Sequence, residues 1–204
     1  MTVTDIDGEQ FYYFERINRK GIGNAGADSN RLMVWNEDWL LEGKDKVHLL
    51  KAVESGIGIE LQLIPEKKLV IHGENGISKK GREKDNASHY FSYTRMKTNG
   101  MVFVKGKAYK VFGTSWMDHE YSSNQLNDEL AGWDWFSIKL DDGTELMLYQ
   151  LRRKTGGVDS FSSGTLIMAD GRSRHIRQEE FIITPLSQWT SKKSGITYPS
   201  SWKL

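Results

Sequence analysis

Apolar and polar positions alternate with a period of two along most of this chain, and the 3.6-residue period of a helix is almost absent. The alternating runs predict strands over Gln10–Ile17, Arg31–Asn36, Val47–Val53, Gly58–Ile64 and Lys68–His72. They continue over His89–Lys97, Met101–Val104, Ala108–Trp116, Trp133–Leu140 and Thr144–Arg153. The last group is Gly164–Ala169, Ser173–Thr184 and Thr197–Leu204. Asn99-Gly100, Asp142-Gly143 and Asp170-Gly171 each fall between extended runs, the dipeptide signal of a tight hairpin. One helical candidate remains, Asn124–Ala131, with Asn124 as N-cap and Gly132 as stop. Short strands joined by turns predict an all-β protein, an antiparallel barrel or sandwich. The loop-rich stretches Lys154–Gly157 and Ser160–Gly164 predict a boundary, with a first domain over 1–155 and the opening strands of a second over 156–204. Phe11–Phe14 near one end and Ile196–Leu204 at the other are strand-like, so both ends read as cut.

Register follows from the same alternation. A two- or four-residue loop at Asp142-Gly143 pairs Leu140 with Glu145, hence Phe136 with Tyr149, Trp135 with Gln150 and Trp133 with Arg152. Asp134, Phe136, Met147, Tyr149 and Leu151 then share one face, and Trp133, Trp135, Gln150 and Arg152 the other. Trp133 over Arg152 is a cation–π geometry. Along Val111–Tyr121, Met117, His119 and Tyr121 point one way, and Trp116, Asp118 and Glu120 the other.

Composition removes several function classes. Among 204 residues, seven Trp, eight Tyr and eight Phe supply ample area for a core. A net charge of +1, with both signs interspersed, leaves no footprint for nucleic acid or anionic lipid. The one charge cluster, Lys79–Lys84, reads as a solvated turn. Without cysteine there are no disulfides, thiolate nucleophiles or zinc–thiolate sites. No apolar run reaches the length of a membrane span, and the N-terminus lacks the basic and apolar stretches of a signal peptide, so membrane association would need further segments.

Two stretches concentrate rings, carboxylates and an imidazole: Gly113–Tyr121 (GTSWMDHEY) and Gly132–Phe136 (GWDWF). Those residue types line small-molecule pockets that are largely apolar with a few aimed polar groups. Alternation keeps His119 from joining Asp118 and Glu120 on one ion, so a metal is not expected. The remaining chemistry is acid–base. Asp118, Glu120 or Asp134, desolvated by rings, would have a raised pKa and protonate an electron-rich bond, with His119 positioning water. A Ser–His–acid arrangement is weaker, since Ser115 and Ser122 lie near His119 but no Gly-x-Ser-x-Gly elbow occurs. Against all of these stands a structural reading, in which ring residues fill a sheet and a buried Asp satisfies a Trp N–H.

Several spaced motifs occur in order: His72–Gly81, Ser88–Met96, Ser115–Tyr121, Gly132–Phe136 and Glu145–Arg152, closing with Tyr198–Trp202. Together they resemble the AttH-like proteins, relatives of carotenoid 1,2-hydratase. The resemblance covers nearly the whole chain. It implies two consecutive lipocalin-like (calycin) β-barrels, the first lacking its start and the second most of its strands. It also implies an apolar isoprenoid or lipid-like ligand, with cofactor-free hydration as the reaction. Other relatives are non-catalytic neighbours of ABC transporter permease components or predicted secreted hydrolases, which implies a periplasmic, secreted or envelope location for the full-length protein. By the family pattern His119 and Tyr121 match functional positions, and Gln150 stands where an acid is expected near Tyr149. The expected catalytic set is thus Asp118, His119 and Asp134. Trp116, Glu120, Tyr121, Trp133 and Trp135 are expected to bind ligand, with Tyr149, Arg152, His89 and Tyr90 beside them.

Overall fold

The computed structural model describes residues 1–21, 23–124 and 127–204. Among the described residues the regular structure is seventeen strands and one 3₁₀ turn, Gln178–Glu180, as the near-absence of helical periodicity requires. By contact the chain divides into two units, Met1–Lys68 with Arg95–Met117, and Leu69–Thr94 with Asp118–Leu204. The first seven strands are β1 (Thr2–Asp5), β2 (Gln10–Tyr13), β3 (Ala25–Ala27), β4 (Met33–Asn36), β5 (Trp39–Lys44), β6 (Val47–Glu54) and β7 (Ile57–Pro65). Next come the short β8 (Val70–Ile71) and β9 (Ser78–Lys79), then the long β10 (Ala87–Val104) and β11 (Lys107–Tyr121). The second unit continues with β12 (Leu130–Lys139), β13 (Glu145–Arg153), β14 (Ser163–Ile167) and β15 (Ser173–Arg177). It ends with β16 (Thr184–Thr190) and β17 (Thr197–Lys203).

In the first unit β1 pairs with β2, and a sheet runs in the order β11-β10-β7-β6-β5-β4-β3. Ala52, Ile57, Leu63 and Met96 are its buried apolar residues. Among the described residues no pairing joins β11 to β3, so this sheet is open and does not close into a barrel. β10 crosses Asn99-Gly100 without turning: Asn99 pairs with Gln62 and Gly100 with Leu61 on β7. Gly100 has φ +153°, and a Cβ there would lie 2.1 Å from the Glu60 carbonyl oxygen. This glycine marks close strand approach instead of a hairpin. The turn comes six residues later, at Lys105 (φ +52°) and Gly106 (φ +79°), the two left-handed positions of a type I′ hairpin.

In the second unit β8 and β9 pair with the first part of β10, and β12-β13-β14-β15 form an antiparallel sheet. β16 and β17 form a separate hairpin. The loop-rich stretch expected as a domain boundary lies inside this unit, between strands that pair with each other. The helix expected at Asn124–Ala131 is not formed in its described part. Asn124 bridges to Asn86, residues 128–129 turn and Leu130 opens β12; residues 125 and 126 lie outside the described residues.

The β12–β13 register differs from expectation by one residue. Leu140 N–H donates to Thr144 O (2.8 Å) and Gly143 N–H to Leu140 O (3.2 Å), closing a three-residue loop with Gly143 at φ +82°. A three-residue loop with a left-handed glycine is a type I turn with a G1 bulge. Lys139 therefore pairs with Glu145, Asp134 with Gln150, Trp135 with Tyr149 and Trp133 with Leu151. Met168–Arg172 repeats this geometry between β14 and β15. The shift sorts the side chains anew. Phe136, Leu146 and Leu148 enter a core with Leu166, Ile176, Phe181, Ile183 and Trp202. Trp133, Trp135, Tyr149 and Leu151 face the other way together.

Candidate functional site

Those four residues wall a small cavity in the second unit, completed by Lys80, Tyr90 and Glu120. It is small, with a volume of about 30 Å³, enough to admit water. Three strand segments aim polar groups at it by simple alternation. On β10, Ser88, Tyr90 and Ser92 share a face with Asp118 and Glu120 of β11. On β13 the one-residue shift brings Tyr149 opposite Trp135.

Two linked polar systems result. In the first, the Ser92 and Tyr90 hydroxyls both donate to Asp118 Oδ1, Tyr90 at 2.9 Å. Trp135 Nε1–H donates to the Tyr90 oxygen at 3.1 Å. Behind Ser92 lies His72, fully buried, with Nε2 2.8 Å from Ser92 Oγ and Nδ1 2.8 Å from Thr165 Oγ1. Since the Ser92 proton goes to Asp118, Nε2–H is the donor to Ser92, and Nδ1 accepts from Thr165. Only the neutral ring can do both. Burial, seconded by the Lys80 charge, lowers the His72 pKa to about 3. Burial also raises the Tyr90 pKa, with the Asp118 charge adding to it.

The second system centres on Lys80, which is only 7% exposed. Its Nζ lies 3.2 Å from Glu120 Oε1 and 3.6 Å from the centroid of the Tyr149 ring. Glu120 Oε1 also accepts from Ser88 Oγ at 2.6 Å. The Tyr149 hydroxyl accepts from Ser163 (2.8 Å) and donates to Lys79 O (3.2 Å). The charge cluster expected as a solvated turn is thus half correct. Arg82, Glu83 and Lys84 are exposed, whereas Lys80 points inward.

Of the expected site residues, the structure gathers Tyr90, Asp118, Glu120, Trp133, Trp135 and Tyr149 here. It places the others elsewhere. His119 stacks on Phe91 (4.9 Å) and Tyr121 on His89 (5.2 Å), on the opposite face of β10 and β11. Asp134 faces away from the cavity, buried in an ion pair of 3.4 Å with Arg152. With Leu151 opposite Trp133, the expected Trp133–Arg152 pair does not form. Trp116 belongs to the first unit and does not line the cavity. Asp118 keeps substantial exposure, so the expected desolvation by rings is not what surrounds it. The weaker serine arrangement does not form either, because Ser115 bonds Thr98 and Ser122 donates to Ala87 O. Reasoning on sequence missed His72, Lys80, Ser88 and Ser92. The available signal was the spacing of Ser88, Tyr90 and Ser92, which alternation puts on one face. Among the described residues no three His, Asp or Glu side chains converge as a metal site needs.

Fold and site together define an all-β protein with a polar, ring-walled cavity, and sequence comparison gives it a family. A model of the AttH-like family matches residues 1–204, and the chain belongs to that family. No curated protein matches it. Among solved structures, one described as an AttH of Nitrosomonas europaea is similar at 29% identity and a TM-score of 0.89. The match covers 98% of this chain and 63% of that one. Kievitone hydratase of Nectria haematococca is similar in fold, with a TM-score of 0.67 at 13% identity, covering 98% of this chain and 61% of that one. This chain therefore spans less than two thirds of either structure.

Proposed function

We propose that the cavity is an acid–base site that adds water to a carbon–carbon double bond of a small, largely apolar molecule, without a cofactor. The observation that carries this reading is the bond path from the cavity wall to a carboxylate: Tyr90 lines the void and donates to Asp118. A water in the void can pass its proton to the Tyr90 oxygen as the Tyr90 proton moves to Asp118. Asp118, open to solvent, then releases the proton. Trp135 and Ser92 hold the two acceptors in place, and buried neutral His72 fixes Ser92. Trp133 and Trp135 supply apolar walls for the ligand. The resemblance noted in the sequence supports the same reaction class. The hydratase named among the structures supports the fold alone at its level of identity. As the sequence resemblance implies, the open sheets described above would be parts of lipocalin-like barrels.

Catalysis is tested by incubating the protein with isoprenoid alkenes, both plain and conjugated to a carbonyl group, in heavy-oxygen water and following labelled product by mass spectrometry. Asp118→Asn and Tyr90→Phe should each lower turnover by about 100-fold or more while ligand binding persists. Wild-type protein that binds ligand but forms no product would instead be a carrier, as an accessory to ABC transport would be.

A further inference from the structure

Resting on the hydration reading, we infer that the substrate's double bond is conjugated to a carbonyl group, and that Lys80 binds the carbonyl oxygen. Three observations lead there. First, the described hydrogen bonds place both carboxyl groups at the cavity as acceptors. Glu120 accepts from Ser88 beside the Lys80 ammonium, and Asp118 accepts from Ser92 and Tyr90, so both serve as carboxylate acceptors. An ammonium is far too weak an acid to protonate an unactivated alkene, so the carbocation route lacks its first step.

Second, Lys80 is a buried cation at the cavity wall. Its described neighbours are one carboxylate oxygen and the faces of Tyr149 and Tyr90, with Nζ 5.8 Å from the Tyr90 centroid. An ammonium has three donors, and a hydrocarbon filling the void would strip their water and offer no acceptor in return. A carbonyl oxygen offers one. Third, the cavity wall joins the polar groups of Lys80, Tyr90 and Glu120 to the apolar Trp133, Trp135 and Leu151, which suits a ligand that carries an oxygen on an apolar skeleton.

The step balances without a co-reactant. The water oxygen bonds to the β-carbon as its proton passes through Tyr90 to Asp118. The π electrons of the double bond move onto the carbonyl oxygen, where the Lys80 ammonium stabilises the enolate. Protonation of the α-carbon from Lys80 yields the β-hydroxy carbonyl product, and the proton on Asp118 returns to Lys80 through solvent.

The probes are myrcene, methyl geranate and geranic acid, a hydrocarbon, a neutral conjugated ester and a conjugated carboxylate of similar skeleton. Calorimetry should show the two oxygenated probes binding at least about tenfold more tightly than myrcene. Lys80→Met should remove that preference, Lys80→Arg should keep part of it, and Glu120→Gln should tighten geranic acid alone, separating anion from carbonyl recognition. If Lys80→Met fails to fold by circular dichroism, the Arg and Gln variants decide. Equal binding of all three probes, or a preference unchanged in every folded Lys80 variant, overturns the inference. Labelled product from myrcene at the rate of the ester would overturn it too and leave hydration standing. Preferred binding of the oxygenated probes without product from any of them would end the hydration reading and keep the Lys80 subsite. Binding of none would end both.

Discussion

His72 shows at the scale of one residue how burial assigns a role. Its ring is fully enclosed, donates to Ser92 and accepts from Thr165, which only the neutral form can do. Burial holds its pKa at about 3, against 6.5 in the unfolded chain. Between those values the unfolded chain binds a proton that the native state refuses, so stability rises with pH across the window. The contribution is fully present above pH 6.5 and is lost as the pH falls toward 3, with a limiting slope of about 1.4 kcal/mol per pH unit. Urea midpoints should fall between about pH 7.5 and 5.5 in the wild type and change much less in His72→Gln. An equal decline in both proteins would contradict this account. Nothing in the local sequence marked His72, because its partners come from β10 and β14, 20 and 93 residues away.

At the scale of elements, the β12–β13 hairpin sets the composition of the cavity. Asp142 and Gly143 were legible as a turn, but not the number of residues in the loop. Asp142 Oδ1 accepts from Thr144 N–H (2.8 Å), and Asp170 does the same for Arg172 (3.0 Å), so both loops are built alike. Three residues in place of two or four move every cross-strand pair by one. That step exchanges Arg152 for Leu151 opposite Trp133 and makes the cavity wall apolar. Gly143 sits at φ +82°, and an added Cβ would meet Ala169 at an ordinary 3.4 Å. Gly143→Ala should thus cost about 1 kcal/mol in chemical denaturation, from backbone strain and not from collision. Because register depends on this loop, the variant should also weaken ligand binding at Trp133 and Trp135.

At the scale of the molecule, the described sheet of the first unit ends on β11, which pairs only with β10. Phe112 on that strand is 90% exposed and Tyr109 44%. An open edge carrying apolar rings recruits other strands. The 204-residue chain should therefore self-associate with rising concentration in light scattering, and Phe112→Lys should lower the apparent mass. Denaturation should show stability within about 0.5 kcal/mol of wild type, since the side chain makes no buried contact. An unchanged association would place the contact elsewhere.

The sequence by itself determined the all-β class, the two turns that carry Asp-Gly, and the separation of Asp118 and Glu120 from His119 and Tyr121. Each follows from local rules: a period of two, a left-handed glycine, a Cβ direction. Tertiary structure decided which of those faces meets a cavity, that Gly100 continues a strand instead of turning it, and that Asp134 lies behind the sheet. It alone brought Lys80 and His72 to the site. Burial and pairing depend on segments far apart in the chain, and one residue of register, invisible to alternation, exchanges one face of a strand for the other.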